Sequence, residues 1–170
     1  SDTRTPDDLG SLWGLHNRWG KQIDIDAPEA WAKTVGSRTN GPIIAVLDTG
    51  IDADHPDLAA NLWTNPGEIP GNGKDDDGNG VVDDVHGYNA FSDNGDPMDG
   101  QGHGTHCAGT IGAIGNNGVG VVGVNQNANI MAVKIFNDEG STDAAAIVRG
   151  IQYATKMGAR ITSNSWGGPL

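Results

Sequence analysis

Residues 41–50 read G-P-I-I-A-V-L-D-T-G, and this stretch decides the fold class of the chain. The five residues 43–47 are all apolar, three of them are β-branched, and a Thr-Gly turn follows Asp48. A continuous apolar run of this length is expected of a parallel strand that is buried on both faces of its sheet. The pattern therefore predicts that Asp48 lies at the carboxyl end of a buried strand, where open α/β sheets build their sites.

Strand and helix patterns alternate along the rest of the chain. Apolar runs and helical periodicity predict two further strands and two helices, over 130–136, 161–166, 103–114 and 141–157. Residues 1–25 are expected to form an irregular arm. The alternation indicates an α/β fold in which helices flank a mostly parallel sheet.

The composition excludes several classes of partner. The 170 residues carry a net charge of -12 at pH 7, which argues against nucleic acid and anionic membranes as partners. No apolar run reaches the roughly 18–20 residues that a membrane-spanning helix needs, and the first ten residues lack the apolar region of a signal peptide. The single cysteine, Cys107, cannot form a disulfide within the chain.

The D-T-G segment alone leaves the role of Asp48 open. A turn aspartate that binds its own backbone is one interpretation. An aspartic-protease carboxylate is another, but that chemistry needs two carboxylates that share a proton, and the sequence holds no second D-T-G. The third interpretation is an aspartate that orients a catalytic histidine, and it needs a suitable histidine elsewhere in the chain.

Two motifs together supply that histidine. Residues 48–58 read D-T-G-I-D-A-D-H-P-D-L, and residues 102–109 read G-H-G-T-H-C-A-G. In this combination the chain resembles the subtilisin-like serine proteases, or subtilases, and the resemblance continues to S-N-S-W-G-G at 163–168. It implies a three-layer subtilisin-like α/β fold over residues 1–170, a serine endopeptidase activity on polypeptides, and an extracellular or otherwise exported protein.

The resemblance assigns Asp48 and His103 to the Asp-His-Ser triad. In such a triad a buried aspartate fixes the imidazole tautomer, and the other ring nitrogen takes the serine proton. Cys107 is implied to be a buried thiol beneath this histidine. A metal pair of His103 with His106 is the weaker alternative for the same helix.

Substrate-binding positions follow from the same resemblance. They form two segments, one on each side of the implied substrate chain, namely Gly140, Ser141 and Thr142, and Ser165, Trp166 and Gly167. For Trp166 a core position is an equally good interpretation.

The serine of the triad is not among these residues. The family carries its oxyanion asparagine, and then its serine in G-T-S-x-A, beyond the S-W-G-G segment, and the 170 residues contain no G-T-S-x-A. We therefore expect the chain to be the N-terminal portion of a catalytic domain, inactive without a C-terminal half that a second chain can supply. The alternative is a non-catalytic calcium-binding module derived from the same fold.

A first calcium site is implied by the loop after the predicted 103–114 helix. Its G-x-G-x-x-G pattern at 118–123 follows a helix rather than a strand, which disfavours a dinucleotide site. The resemblance instead implies a Ca²⁺ site whose ligands are carboxylate, amide and carbonyl oxygens, from Asp57, Asn117, Gly115, Val119, Val121 and, in the N-terminal arm, Asp8.

A second calcium site is indicated by D-D-D-G-N-G-V-V-D-D at 75–84, within an acidic insertion over 65–86. The spacing matches the start of a D-x-[DN]-x-[DN]-G calcium loop, although His86 stands where such a loop has glutamate. The predicted ligands are Asp75, Asp77, Asn79, Val81, Asp83 and Asp84. A solvated acidic turn is the alternative, but adjacent carboxylates repel one another without a cation, so we expect two or more Ca²⁺ sites in all.

Overall fold

The computed structural model describes residues 12–17 and 23–168. In this part of the chain, one four-stranded sheet is formed by β1 (Ile44–Asp48), β2 (Gly87–Asn89), β3 (Ile130–Lys134) and β4 (Ile161–Ser163). The α-helices are α1 (Ala27–Trp31), α2 (His103–Gly112) and α3 (Ala144–Lys156), and a short 3-10 helix covers Ala59–Asn61. None of these helices is long and apolar enough to cross a membrane.

All strand pairs in the sheet are parallel. The strands follow the order β2-β3-β1-β4, so β1 lies between β3 and β4. Asp48 pairs with Lys134 in the register of β1 and β3, which puts both residues at the carboxyl edge of the sheet. The predicted α/β class with a parallel sheet is confirmed.

The two faces of β1 pack against different helices. Ala45 and Leu47 belong to a buried cluster that includes Tyr153 of α3. Val46 belongs to a second buried cluster, which includes Ala108 of α2. Because successive side chains of a strand point to opposite faces, the sheet lies between α2 and α3. This three-layer arrangement explains why the strand has no polar face.

Two strands differ most from the predicted elements, and β3 ends at Lys134 rather than at residue 136. β2 was not predicted, because its three residues G-Y-N contain no apolar run. β4 ends at Ser163 rather than at residue 166, and within the described residues it pairs only with β1. Ile161 is 48% exposed at this edge of the sheet.

Helix α2 approaches the end of β1 through a glycine. A Cβ added at Gly104 would overlap the carbonyl oxygen of Gly50 and would lie 3.1 Å from the Cβ of Asp48. The backbone N–H of Gly104 donates a hydrogen bond to the hydroxyl of Thr49 at 2.9 Å. Only glycine permits this close contact between the first turn of the helix and the strand end.

We predict that Gly104→Ala lowers the free energy of unfolding by about 1–3 kcal/mol, because the methyl group forces α2 away from β1. Gly109→Ala is the matched control, since the space around Gly109 in the same helix is open. The control should be neutral or stabilise the protein by about 0.5–1 kcal/mol, as alanine favours a helix over glycine. Urea unfolding monitored by tryptophan fluorescence measures both variants, and equal effects would contradict the packing described here.

Candidate active site

Asp48 is a buried carboxylate at the end of β1. The residue is 1% exposed. Its Oδ1 accepts a hydrogen bond from the backbone N–H of Thr49 at 2.8 Å and lies 2.7 Å from Nδ1 of His103. Its Oδ2 is buried and has no hydrogen-bond partner. Asp48 thus makes the local contact of a turn aspartate and, with the same oxygen, reaches a histidine 55 residues further along the chain.

His103 is the first residue of α2 and stands between the buried carboxylate and solvent. Its side chain is 48% exposed, whereas that of Asp48 is 2% exposed. A carboxylate at Nδ1 favours the tautomer that carries its proton there, because Nδ1–H can then donate to Oδ1. Nε2, on the opposite side of the ring, then has a lone pair and can accept a proton.

Asp99 fixes the start of α2. Its Oδ1 accepts hydrogen bonds from the Thr49 hydroxyl and from the N–H groups of Gln101 and Gly102 at 2.8–3.0 Å. Its Oδ2 accepts from the N–H and the hydroxyl of Thr105. Burial by itself raises the pKa of Asp99, but these hydrogen bonds outweigh it and lower the pKa to about 2. Sequence reasoning missed Asp99, because the N-cap position of α2 is Gly102 and Asp99 lies before it, outside the position that capping patterns identify.

Lys134 connects the end of β3 to the loops around the site. The residue is 6% exposed, and its Nζ donates to the carbonyl oxygen of Thr49 and to Oδ1 of Asp138. Asp138 also accepts the N–H of Gly100 at 3.2 Å, and its hydrogen bond with Lys134 is the main cause of its lowered pKa. One buried cation therefore holds the turn after Asp48 and the loop before His103.

The two predicted substrate-binding segments leave the sheet at the edge that holds Asp48. Gly140, Ser141 and Thr142 follow β3, and Ser165, Trp166 and Gly167 follow β4. The Trp166 ring packs edge-on against Phe136, with 6.0 Å between ring centroids, and its Nε1–H donates to the carbonyl oxygen of Leu47 at 2.8 Å. These contacts match the interpretation of Trp166 as a core residue. Its role in binding substrate stays a prediction.

The first predicted calcium site is a loop folded around a buried carboxylate. Asp57 is 2% exposed. Its Oδ1 accepts from the amide of Asn117 at 2.8 Å, and its Oδ2 accepts from the N–H of Val121 at 2.9 Å. Gly115 and Val119 belong to the same loop. The predicted ligand Asp8 lies outside the described residues.

The acidic insertion brings three carboxylates together. One oxygen from each of Glu68, Asp77 and Asp84 lies within 4.8 Å of the other two. Asp84 is fully buried, and desolvation is the main cause of its raised pKa, against hydrogen bonds from Tyr153 and Asn79. Glu68 has one carboxylate oxygen, Oε2, that is buried without a hydrogen-bond partner.

Not all predicted ligands of the insertion join this carboxylate cluster. The carboxylate of Asp83 accepts the backbone N–H groups of residues 71, 72 and 73 at 2.8–3.2 Å, so it stabilises that turn instead. Asp75 accepts the N–H groups of Asn79 and Gly80, and the hydrogen bond from Gly80 is the main cause of its lowered pKa. The N–H of Val81 donates to the side-chain oxygen of Asn79. Sequence reasoning missed Glu68, because it lies outside the repeating acidic motif.

A buried aspartate that orients a helix-terminal histidine, at the carboxyl edge of a parallel sheet, is typical of α/β hydrolytic enzymes with an Asp-His acid–base pair. The sequence profile described as the subtilase family, peptidase S8, matches residues 39–169. The chain belongs to the subtilase family.

Curated relatives agree with this assignment. The chain is 41% identical over 124 residues to Subtilisin-like protease 1 of Plasmodium berghei, and this alignment covers 72% of this chain and 21% of that protein. It is 37% identical over 146 residues to thermitase of Thermoactinomyces vulgaris, covering 86% of this chain and 43% of that protein. It is 42% identical over 145 residues to the intracellular serine protease of Paenibacillus polymyxa, and this alignment covers 85% of this chain and 38% of that protein. The chain thus spans less than half of each relative.

The name of the Paenibacillus protein places that relative inside the cell. Family membership therefore does not decide the location of this chain, and export stays a prediction.

We predict that Asp99 stabilises the fold in a pH-dependent way. Its folded pKa of about 2 lies below the ordinary value of 3.8, so its contribution is present above about pH 4 and is lost as the pH falls toward 2. Asp99→Asn should lower the free energy of unfolding by about 1 kcal/mol at pH 6, as loss of a helix cap does, and the difference from the unmodified protein should shrink between pH 4 and 2.

Denaturant unfolding at a series of pH values measures this difference. Asp96→Asn is the control, because Asp96 lies in the same loop and accepts one backbone N–H, from Met98. The role given to Asp99 would be contradicted if Asp99→Asn lowered the free energy of unfolding no more than the control does. A decrease that stayed constant down to pH 2 would also contradict it.

Proposed function

We propose that Asp48 and His103 are the acid–base pair of a serine endopeptidase. In this mechanism Nε2 of His103 takes the proton of a serine hydroxyl as the oxygen attacks the peptide carbonyl, and then gives that proton to the leaving amine. The observation that carries the proposal is the 2.7 Å contact between a buried carboxylate and the Nδ1 of an imidazole whose side chain is 48% exposed.

The role of Asp48 follows from its burial. A carboxylate removed from water interacts more strongly with a charged neighbour than an exposed one does. As His103 becomes imidazolium during the reaction, Asp48 stabilises the new charge and keeps the proton on Nδ1. The contacts of Asp99 and Lys134 hold the two loops in place, so that the imidazole requires no reorganisation when substrate binds.

In this proposal the nucleophile lies outside these residues. The 170 residues contain no G-T-S-x-A segment, and Ser141 and Ser165 are assigned to substrate binding by resemblance. We propose that the remainder of the catalytic domain, on the same or a second chain, supplies the serine and the oxyanion asparagine. A polypeptide substrate would lie between residues 140–142 and 165–167.

We predict that the complete protein hydrolyses a chromogenic peptide and is blocked by a serine-directed organophosphate. Asp48→Asn should lower kcat by about 10⁴-fold, because the imidazole then adopts the wrong tautomer. His103→Ala should lower kcat by about 10⁶-fold, as removal of the histidine does in subtilisin itself. His106→Ala, an exposed change on the same helix, is the control and should keep activity within about tenfold.

The 170-residue chain alone should not cleave the peptide. If it does, and if pepstatin rather than the organophosphate blocks it, Asp48 belongs to an aspartic protease and the proposal is wrong. If the complete protein binds Ca²⁺ but shows no hydrolysis, the alternative of a non-catalytic calcium-binding module is correct.

We infer in addition that Glu68, Asp77 and Asp84 hold a Ca²⁺ ion. All three offer oxygen atoms, the ligands that Ca²⁺ prefers. The buried, unpartnered Oε2 of Glu68 supports this inference, because buried carboxylate oxygens without a partner are rare in folded proteins. The side-chain amide nitrogen of Asn79 donates hydrogen bonds to Asp77 and Asp84 at 3.1 and 2.8 Å, so this residue also contacts the cluster. The ion would neutralise the mutual repulsion of three carboxylates, which a solvated acidic turn would leave uncompensated.

We predict that millimolar Ca²⁺ raises the melting temperature and that Glu68→Gln removes most of this rise. Saturation at a hundredfold excess over Kd stabilises a protein by about 2.7 kcal/mol. Asp76→Asn is the matched control, because Asp76 lies in the same loop but its carboxylate binds Ile69 N–H and the Asn72 amide. Asp76→Asn should show the same Ca²⁺-dependent rise in melting temperature as the unmodified protein.

Thermal melts with EGTA and with Ca²⁺ measure the effect. A rise that survives Glu68→Gln but is lost in Asp57→Asn would assign the calcium effect to the first loop instead. Equal melting temperatures with and without Ca²⁺ would contradict both sites.

A further inference from the structure

Five asparagines of the chain are each followed by a glycine, namely Asn40, Asn72, Asn79, Asn94 and Asn117. In an Asn-Gly step the backbone nitrogen of the glycine can attack the side-chain carbonyl carbon of the asparagine, because a residue without a side chain leaves that nitrogen uncrowded. The attack expels ammonia and finally turns the amide into a carboxylate. It requires a glycine N–H that is free to lose its proton and an asparagine Nδ2 that is free to leave.

Hydrogen bonds hold at least one of these two nitrogens in four of the five steps. In three steps the N–H of the glycine donates at 2.8–2.9 Å, from Gly41 to Ser37, from Gly73 to Asp83 and from Gly80 to Asp75. In three steps the side-chain nitrogen donates to a carboxylate at 2.8 Å, namely at Asn72, Asn79 and Asn117. Each of these bonds has to break before the reaction can proceed.

The step from Asn94 to Gly95 meets both requirements. Asn94 is exposed, and in the part of the chain that the structure describes neither its Nδ2 nor the Gly95 N–H has a hydrogen-bond partner. The Oδ1 of Asn94 accepts the N–H of Asp96 at 3.0 Å. This local turn folds the asparagine side chain back along the intervening backbone, so its carbonyl carbon lies on the same side as the Gly95 nitrogen.

The Asp96 N–H also assists the attack on Asn94. When the nitrogen adds to the carbonyl carbon, negative charge develops on Oδ1. A backbone N–H that already points at this oxygen stabilises the charge, as an oxyanion donor does in acyl transfer. Asn72 and Asn79 have an equivalent donor two residues further on, so the free nitrogens are what distinguish Asn94.

We propose that Asn94 is the residue at which the folded chain deamidates first. The Gly95 nitrogen loses its proton to solvent and forms a bond to Cγ of Asn94, while the bond from Cγ to Nδ2 breaks and Nδ2 takes up a proton and leaves as ammonia. One water molecule then opens the succinimide ring at either of its two carbonyl carbons. The products are aspartate and isoaspartate at position 94, and neither step needs an oxidant or a reductant.

The isoaspartate product changes the loop that precedes α2. Asn94 and Asn89 each donate a backbone N–H to the carbonyl oxygen of the other, at 3.1 and 2.9 Å. Isoaspartate inserts one more carbon into the backbone, so this pair no longer fits the turn that follows it. Gly95 also packs against the acidic insertion, since an added Cβ would overlap the carbonyl oxygen of Val82. The modification therefore loosens the contact between this loop and the insertion, whatever the protein catalyses.

The test follows all five steps in one sample. The protein is incubated at mildly alkaline pH with millimolar Ca²⁺ and a serine-directed organophosphate, which prevents cleavage by the protein itself. Peptide mass spectrometry measures the mass gain of each amide that becomes an acid, and methyl transfer by an isoaspartyl methyltransferase identifies isoaspartate. The same chain unfolded in guanidinium chloride is the reference, because no step is held by the fold there.

In the folded protein we expect Asn94 to deamidate at least about tenfold faster than Asn72, Asn79 and Asn117, whose nitrogens bind carboxylates, and severalfold faster than Asn40. In guanidinium chloride the five rates should become similar. Asn94→Gln should remove the modification at this position, because glutamine would have to close a larger ring, and the matched control Asn40→Gln should leave the Asn94 rate unchanged.

Two results would overturn the proposal. One is that another Asn-Gly step is modified before Asn94 in the folded protein. The other is that the advantage of Asn94 over the remaining steps is no larger in the folded protein than in guanidinium chloride, because the fold would then play no part in selecting it.

Discussion

The contact between Asp48 and His103 is the constraint around which the described part of the chain is arranged. A charged carboxylate at the end of a strand buried on both faces is unfavourable unless hydrogen bonds compensate it. One of its oxygens receives Thr49 N–H and faces His103 Nδ1. The imidazole reaches this carboxylate because α2 begins beside the carboxyl end of β1. The first turn of α2 can pack so closely against β1 only because residue 104 is a glycine.

Thr49 links the Asp48–His103 contact to the surrounding loops through hydrogen bonds. Its N–H donates to Asp48, its hydroxyl donates to Asp99 and accepts from Gly104, and its carbonyl oxygen accepts from Lys134. Every polar group of one residue is thus used to join the strand end, the helix start and the end of β3. Such a network is strongly coupled, so a change at one member should affect the position of the imidazole.

The sequence predicted those parts that depend on local pattern. The apolar run before Asp48 fixed the position of β1, and two short motifs pointed to Asp48 and His103. The parts that it did not predict depend on tertiary contacts: Glu68 meets Asp77 and Asp84 only in the folded loop. Asp83 matches the acidic motif, but its positive φ of 51° and its bonds to residues 71–73 direct its carboxylate elsewhere. β2 was not predicted, because these three residues are a strand through their pairing with β3 and not through their own composition.

The proposed function requires Asp48 to hold the proton of His103 on Nδ1, which leaves Nε2 able to act as a base. Nuclear magnetic resonance of ¹⁵N-labelled histidine side chains, recorded near neutral pH with millimolar Ca²⁺ present, locates this proton. We expect a ring proton on Nδ1 of His103, strongly shifted downfield by the short hydrogen bond, and its disappearance in Asp48→Asn. A proton on Nε2 of His103 in the unmodified protein, with a spectrum that Asp48→Asn leaves unchanged, would show that Asp48 does not set the tautomer of this histidine.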